Sequence, residues 1–303
     1  MSSNLLDGKV AVVTGSGQGL GRAYVLALAA EGASIVVNDV NADSAQETVD
    51  LVKSAGGQAV AVIAPVGPTE TADLLVNTAR ETFGRLDIMV TNAGVLRDRV
   101  LWKMEDDDFD LVIDTHLRGT FTCARAAAIA MREQGEGGRI IVIGSPAGQF
   151  GSFGQTSYSA AKAGIVALAR TLSLELARAE IMVNAVIPTA MTAMVGTMPI
   201  YKDAYEKFLA GEPLPQQIRH AHALGGPEDA APLVVWLASD LSAGVTGQAI
   251  GIGGDKLTLY AHPAELAAEY ADGGWSAKAI DYAWGESLSK SAQPSGPTFA
   301  PLD

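Results

Sequence analysis

The chain has 303 residues, 48% of them hydrophobic and 18% charged, a balance that suits a large packed core and excludes a disordered polypeptide. A net charge of -13 and a sequence pI of about 4.7 oppose nucleic-acid backbones and anionic membrane surfaces as partners. No apolar run reaches the ~20 residues of a membrane helix, the opening M-S-S-N-L-L-D-G lacks a charged-then-apolar leader, and Cys123 is the single cysteine; the expected setting is cytoplasmic, with Cys123 a small core residue.

In chain order, the first apolar run of strand length is Val10–Val13, and T-G-S-G-Q-G-L-G follows it directly. Gly15, Gly19 and Gly21, with Gln18 and Leu20 between them, have the spacing that lets backbone N–H groups approach a pyrophosphate at a helix N-terminus. The second run, 35–37, leads to Asp39. A carboxylate there can accept from both ribose hydroxyls of an adenosine, whereas a 2′-phosphate would meet like charge. Ser16, Gly17, Gln18 and Val40 supply no cation, so the expected cofactor is NAD rather than NADP. The third run, 59–63, is followed by Pro65 and Val66, and the fourth, 88–90, by Asn92, Ala93 and Gly94.

An acidic run at 105–108 opens a long helix predicted over 106–134, where N-capping and the helix dipole account for the charge. The fifth run, 140–143, ends near Ser145. In the helix predicted over 156–177, Tyr158 and Lys162 stand four apart and hence on one face. Runs at 181–187 and 249–252 complete the series. Continuous Val/Ile strands alternating with helices predict an α/β fold: a doubly wound, Rossmann-type parallel sheet in one domain over 1–255, with its crevice at the carboxyl ends of the strands. Residues 256–303 form a C-terminal extension in which Y-A-H-P-A-E-L-A-A-E-Y and G-G-W-S-A-K-A-I-D-Y-A-W each suggest a helix. His220 and His222 are two ligands without a third at metal spacing; no catalytic metal is expected.

The glycine loop, N-A-G, Ser145 and Y-S-A-A-K together resemble the short-chain dehydrogenase/reductase family from Leu5 to about Gly254. The resemblance implies hydride transfer between NAD(H) and a secondary alcohol or ketone. Tyr158 would then be the general acid/base, Lys162 would hold the nicotinamide ribose and lower the phenol pKa, and Ser145 would bind the substrate oxygen. Physically, one ammonium at roughly 4 Å in an effective dielectric of about 20 contributes about 4 kcal/mol, or roughly three pKa units. The cofactor would rest on the glycine loop, Asp39, Val66, Asn92, Ala93, Gly94, Tyr158, Lys162, Pro188 and Thr192. The sequence departs from the family at His116, where many members carry Asn; this imidazole could either relay protons or simply bond to backbone. Pro65 replaces a frequent Asp near the adenine.

G-V-L-R-D-R, H-L-R-G and F-G-Q-T-S-Y-S-A-A-K are similar to the dehydrogenase part of the peroxisomal multifunctional enzyme of β-oxidation and its bacterial relatives. That similarity implies a (3R)-hydroxyacyl-CoA or hydroxysteroid substrate, and pairing of subunits as a homodimer or homotetramer. Met191, Met194, Met198, Tyr201, Tyr205, Phe208 and Leu209 could form an apolar lid or simply pack among themselves, and Arg97, Arg99 and Lys103 could meet CoA phosphates or be ordinary surface charges. The alternatives are an NADP-dependent 3-oxoacyl reductase and a sensor of NAD(H) without turnover.

Overall fold

The computed structural model describes residues 4–191, 193–196 and 199–296. Eight strands form one sheet: β1 (Val10–Val13), β2 (Ser34–Asp39), β3 (Ala59–Ile63), β4 (Ile88–Thr91), β5 (Gly138–Ile143), β6 (Ile181–Pro188), β7 (Ala249–Gly253) and β8 (Lys256–Tyr260). Their order is β3-β2-β1-β4-β5-β6-β7-β8, parallel except for the antiparallel edge strand β8. The helices in chain order are α1 (Gly19–Ala30), α2 (Ala42–Ser54), α3 (Thr69–Phe83), α4 (Asp106–Ile113), α5 (Gly119–Gln134), α6 (Pro146–Phe150), α7 (Thr156–Glu175), α8 (Ala193–Gly196), α9 (Lys202–Leu209), α10 (Gln216–His220), α11 (Ala231–Ala238) and α12 (Ala277–Glu286).

The strand residues alternate between two cores, which explains why the runs are apolar throughout. Val10, Val12, Met89 and Ile140 pack with Leu75, Ala127 and Ile165 of α3, α5 and α7 on one face. Ala11, Val13, Ile35 and Ile88 pack with Tyr24, Leu28, Val49 and Val234 of α1, α2 and α11 on the other. β1 lies between β2 and β4, so the winding reverses there and opens a crevice at the carboxyl ends of the strands. The expected parallel, doubly wound sheet is therefore present.

Three local expectations are refined or corrected. Residues 106–134 are helical throughout, as expected, but α4 and α5 join through a π-helical turn, Asp114–Arg118. The sheet continues past residue 255 into β8, which pairs with β7 from Gly253↔Lys256 to Ala249↔Tyr260. Residues 261–270 carry no helix, because Pro263 removes a donor and every side chain there is exposed, leaving an apolar stripe nothing to pack on. The helix expected beyond them is present as α12, capped by Ser276 accepting from the Ala279 N–H at 3.2 Å.

The turn from β1 into α1 depends on glycine at two kinds of position. Gly15 and Gly19 have φ of 58° and 57°, in the left-handed region. At Gly21 a Cβ would stand 2.2 Å from the Gly15 carbonyl oxygen and 2.6 Å from Asn92 Nδ2. Gly21→Ala must push this turn apart, so a loss of about 1–3 kcal/mol is expected in denaturant unfolding. An unchanged midpoint and slope would show that the turn yields without cost.

Candidate active site

The glycine turn is held from the side by the loop after β4. Asn92 Nδ2 donates to the carbonyls of Thr14 and Gly15 at 3.0 and 2.8 Å, and Thr14 Oγ1 accepts from the N–H groups of Asn92 and Ala93, both at 3.0 Å. A Cβ on Gly15 would be 2.5 Å from Ala93 Cα, so the two segments are in backbone contact. Asn92 thus shapes the cradle with its own amide, and Thr14, absent from the sequence-based set, is its partner. Gln18 is the N-cap of α1 with extended backbone and no side-chain cap, leaving the first N–H groups of the helix open to an anion. Leu20 turns inward against the core beneath the loop.

Asp39 ends β2 facing the same loop. One of its oxygens accepts from the Gly17 N–H at 2.9 Å and the other from the Asn41 N–H at 3.1 Å. A Cβ on Gly17 would collide with this carboxylate and with Ser44 Oγ. The sequence reading missed Arg22, which reaches back from α1 to the Gly17 carbonyl and forms a 2.6 Å ion pair with Glu47. Its place could be seen only once α1 and α2 were packed together. Val66 packs on Gly119 at the start of α5, where a Cβ would meet it at 2.9 Å. Pro188 ends β6 at the same edge of the sheet, and Thr192 lies outside the described residues. A small-residue turn, an open helix N-terminus and a caged carboxylate fit a dinucleotide.

Beside the cradle, Ser145 caps α6, its Oγ accepting from the Ala147 N–H at 3.2 Å. It also acts on Tyr158, which α7 presents one turn before Lys162, and favours the charged form of that phenol. Lys162 is 4% exposed; its Nζ donates to the Ile143 carbonyl at 2.6 Å and lies 5.6 Å from the centre of the Tyr158 ring. Burial pushes Lys162 down to about 7. Tyr158 is shifted upward, first by burial and further by Asp98, with Ser145 pulling the other way. The expectation that Lys162 alone lowers this phenol is not met in the chain by itself. The ammonium is itself desolvated and engaged by the Ile143 carbonyl, and burial is the largest influence on the phenol.

His116 is buried in the π-helical turn, edge-on to Tyr158, with Nε2 2.7 Å from the Val95 carbonyl oxygen. Of the proposed lid, Met191 and Tyr201 form a small core with Leu214, Ile218 and Leu224, against which Tyr205 and Phe208 pack; ordinary packing accounts for these. Leu209 is exposed, Met198 lies outside the described residues, and nothing is described of the Met194 side chain. His220 ends α10 beside Asp255 at 3.4 Å, and His222 Nδ1 meets Tyr201 Oη at 2.7 Å. Among the described residues, no three His, Cys, Asp or Glu side chains gather as a metal site. Arg97 and Arg99 both lie on Asp108, at 3.5 and 2.6 Å.

A model of the short chain dehydrogenase family matches residues 9–200. The chain belongs to the short-chain dehydrogenase family. It is thus an oxidoreductase that works with a nicotinamide cofactor. It is 40% identical over 243 residues to peroxisomal multifunctional enzyme type 2 of Mus musculus, covering 77% of this chain and 30% of that protein. It is likewise 40% identical over 252 residues to a 3-oxoacyl-[acyl-carrier-protein] reductase of Synechocystis, covering 82% of this chain and 97% of the relative. A crystal structure of a short chain dehydrogenase from Mycobacterium avium superposes with a TM-score of 0.82 at 36% identity, covering 98% of this chain and 100% of that one. The chain spans between 26% and 36% of the length of the peroxisomal relatives it matches.

The buried lysine has a consequence for stability. Because the folded value lies below the unfolded one, the folded chain holds fewer protons between pH 7 and 10.5, and stability rises with pH across that window. Lys162→Met should raise the melting temperature of cofactor-free protein at pH 7 and flatten this rise. Melting curves of both proteins at several pH values check it, and parallel pH profiles would count against a desolvated ammonium.

Proposed function

We propose that the chain interconverts 3-hydroxyacyl and 3-oxoacyl substrates, carried on CoA, with NAD(H) as the cofactor. The observation that carries the reading is the convergence of Ser145 and Tyr158 with buried Lys162, whose Nζ lies 5.6 Å from the centre of the tyrosine ring. The substrate class is supported by the multifunctional enzyme and the 3-oxoacyl reductase among its relatives, and by a (2S)-[(R)-hydroxy(phenyl)methyl]succinyl-CoA dehydrogenase subunit of Thauera aromatica at 38% identity. The nicotinamide, when bound, accepts or supplies the hydride. Ser145 orients the substrate oxygen, and Tyr158 takes its proton in oxidation and returns one in reduction. Lys162 donates to the ribose and, while protonated, favours the phenolate.

Exposed apolar side chains on the segments leading into α4 and α7 suit an apolar acyl chain: Leu101, Trp102 and Phe153 stand 68%, 76% and 88% exposed. With Arg97 and Arg99 drawn to Asp108, Lys103 is the cation best placed for CoA phosphates. Exposed Phe109, Phe121 and Ile129 on α4 and α5 support a homodimer or homotetramer. No described helix is long and apolar enough to cross a membrane, and we read the protein as cytoplasmic. One observation favours an NADP-dependent reductase instead: Arg22 lies on the Gly17 carbonyl. Its guanidinium is held by Glu47, while Asp39 keeps its charge turned to the loop. A sensor without turnover has no use for the Ser145–Tyr158 pair.

NADH should bind at least about tenfold more tightly than NADPH, which is about 1.4 kcal/mol, and Asp39→Ala should narrow the gap. Fluorescence titration with both cofactors measures it; equal affinities would remove the case for NAD.

Tyr158→Phe should lower kcat by about 10²- to 10⁴-fold with NADH binding intact. In the parent, hydroxyacyl oxidation should gain rate as pH rises, since burial holds the phenol high and oxidation needs the phenolate. Absorbance assays with (3R)- and (3S)-hydroxyacyl-CoA and a hydroxysteroid check both points. Turnover confined to small polar alcohols would overturn the substrate class.

A further inference from the structure

α4 and α5 run on from one another through a π-helical turn, and such turns are frequent at functional sites. His116 lies in that turn and is 3% exposed. Its ring lies against the loop after β4: a Cβ on Gly94 would be 2.3 Å from Cε1, so only glycine permits the approach. Nε2 faces both polar groups of Val95: the Val95 N–H donates to it at 3.0 Å in one tautomer, and it donates to the Val95 carbonyl oxygen at 2.7 Å in the other. Nδ1 is buried, with no partner among the described residues. The other edge of the imidazole meets the Tyr158 ring, with centroids 5.1 Å apart and planes at 86°.

We propose that His116 is a positioning residue that fixes the ring of Tyr158 against the backbone of Gly94 and Val95, through the hydrogen bonding of Nε2 to the Val95 backbone. The inference rests on the acid/base role of Tyr158 proposed above. His116 does not act by titrating. The charged and titratable groups around the pair are Lys162, Tyr158 and, toward the tyrosine, Asp98; burial first and Lys162 second hold the imidazole down at about 3, neutral wherever the enzyme works.

Two variants separate the tether from mere packing. His116→Phe keeps a ring and loses the polar nitrogen; His116→Gln keeps an amide that can donate or accept near the position of Nε2. The Phe variant should lose about tenfold or more in kcat with NADH affinity unchanged within about twofold, whereas the Gln variant should stay within about threefold of the parent. The parent kcat/KM profile should show no ionisation near pH 6.5 that the Gln variant lacks. Parental activity in His116→Phe, equal losses in both variants, or such an ionisation would each overturn the proposal. Should the Phe variant not fold, the Gln variant decides: activity near the parent supports the tether, and a loss as deep as that of Tyr158→Phe refutes it. If Tyr158→Phe is inactive and His116→Phe is not, only this inference fails; if Tyr158→Phe is active, the acid/base assignment itself fails.

Discussion

Two hydrogen bonds from one amide join the halves of the site. Asn92 Nδ2 donates to the carbonyls of Thr14 and Gly15, so the loop after β4 is fixed to the loop after β1. These strands are neighbours at the point where the winding of the sheet reverses, which brings both loops over the same crevice. The two residues after Asn92 and Ala93 reach the other half of the site: Gly94 lies under the His116 ring and Val95 holds its Nε2. One short segment therefore sets the cradle on one side and the surroundings of the tyrosine on the other. Its small residues follow from that, since each face is in backbone contact with a neighbour.

The electrostatics of the chemical half run against the charge of the molecule. The chain carries a net -13, yet the groups beside the crevice are a lysine and a histidine that burial drives toward neutrality and a phenol that burial drives toward its protonated form. Each shift marks water withheld from the reacting centre, and together they show a site with little stabilising charge of its own. The cations at the rim are mostly matched, Arg97 and Arg99 by Asp108 and Arg22 by Glu47. A ligand bringing phosphates meets helix N–H groups and few free charges, so its affinity rests more on shape and hydrogen bonds than on long-range attraction.

The seven parallel strands, the glycine turn, Asp39 and the Ser145, Tyr158 and Lys162 set were legible in the sequence, because each depends on short-range order: the period of buried residues, the φ that glycine permits, the one-turn spacing on a helix face. What depends on partners distant in the chain was not. The π-helical turn at Asp114–Arg118 lies within an otherwise regular helical pattern and holds His116 against Val95 and Tyr158, contacts that no local propensity encodes. Residues 261–270 have a helical stripe but nothing to bury it against, while 256–260 become a strand because β7 offers an open edge. The sign of the Tyr158 shift was likewise beyond a reading of spacing. Four residues set its distance from Lys162, but the competition between desolvation and charge is decided by what the folded chain packs around both groups.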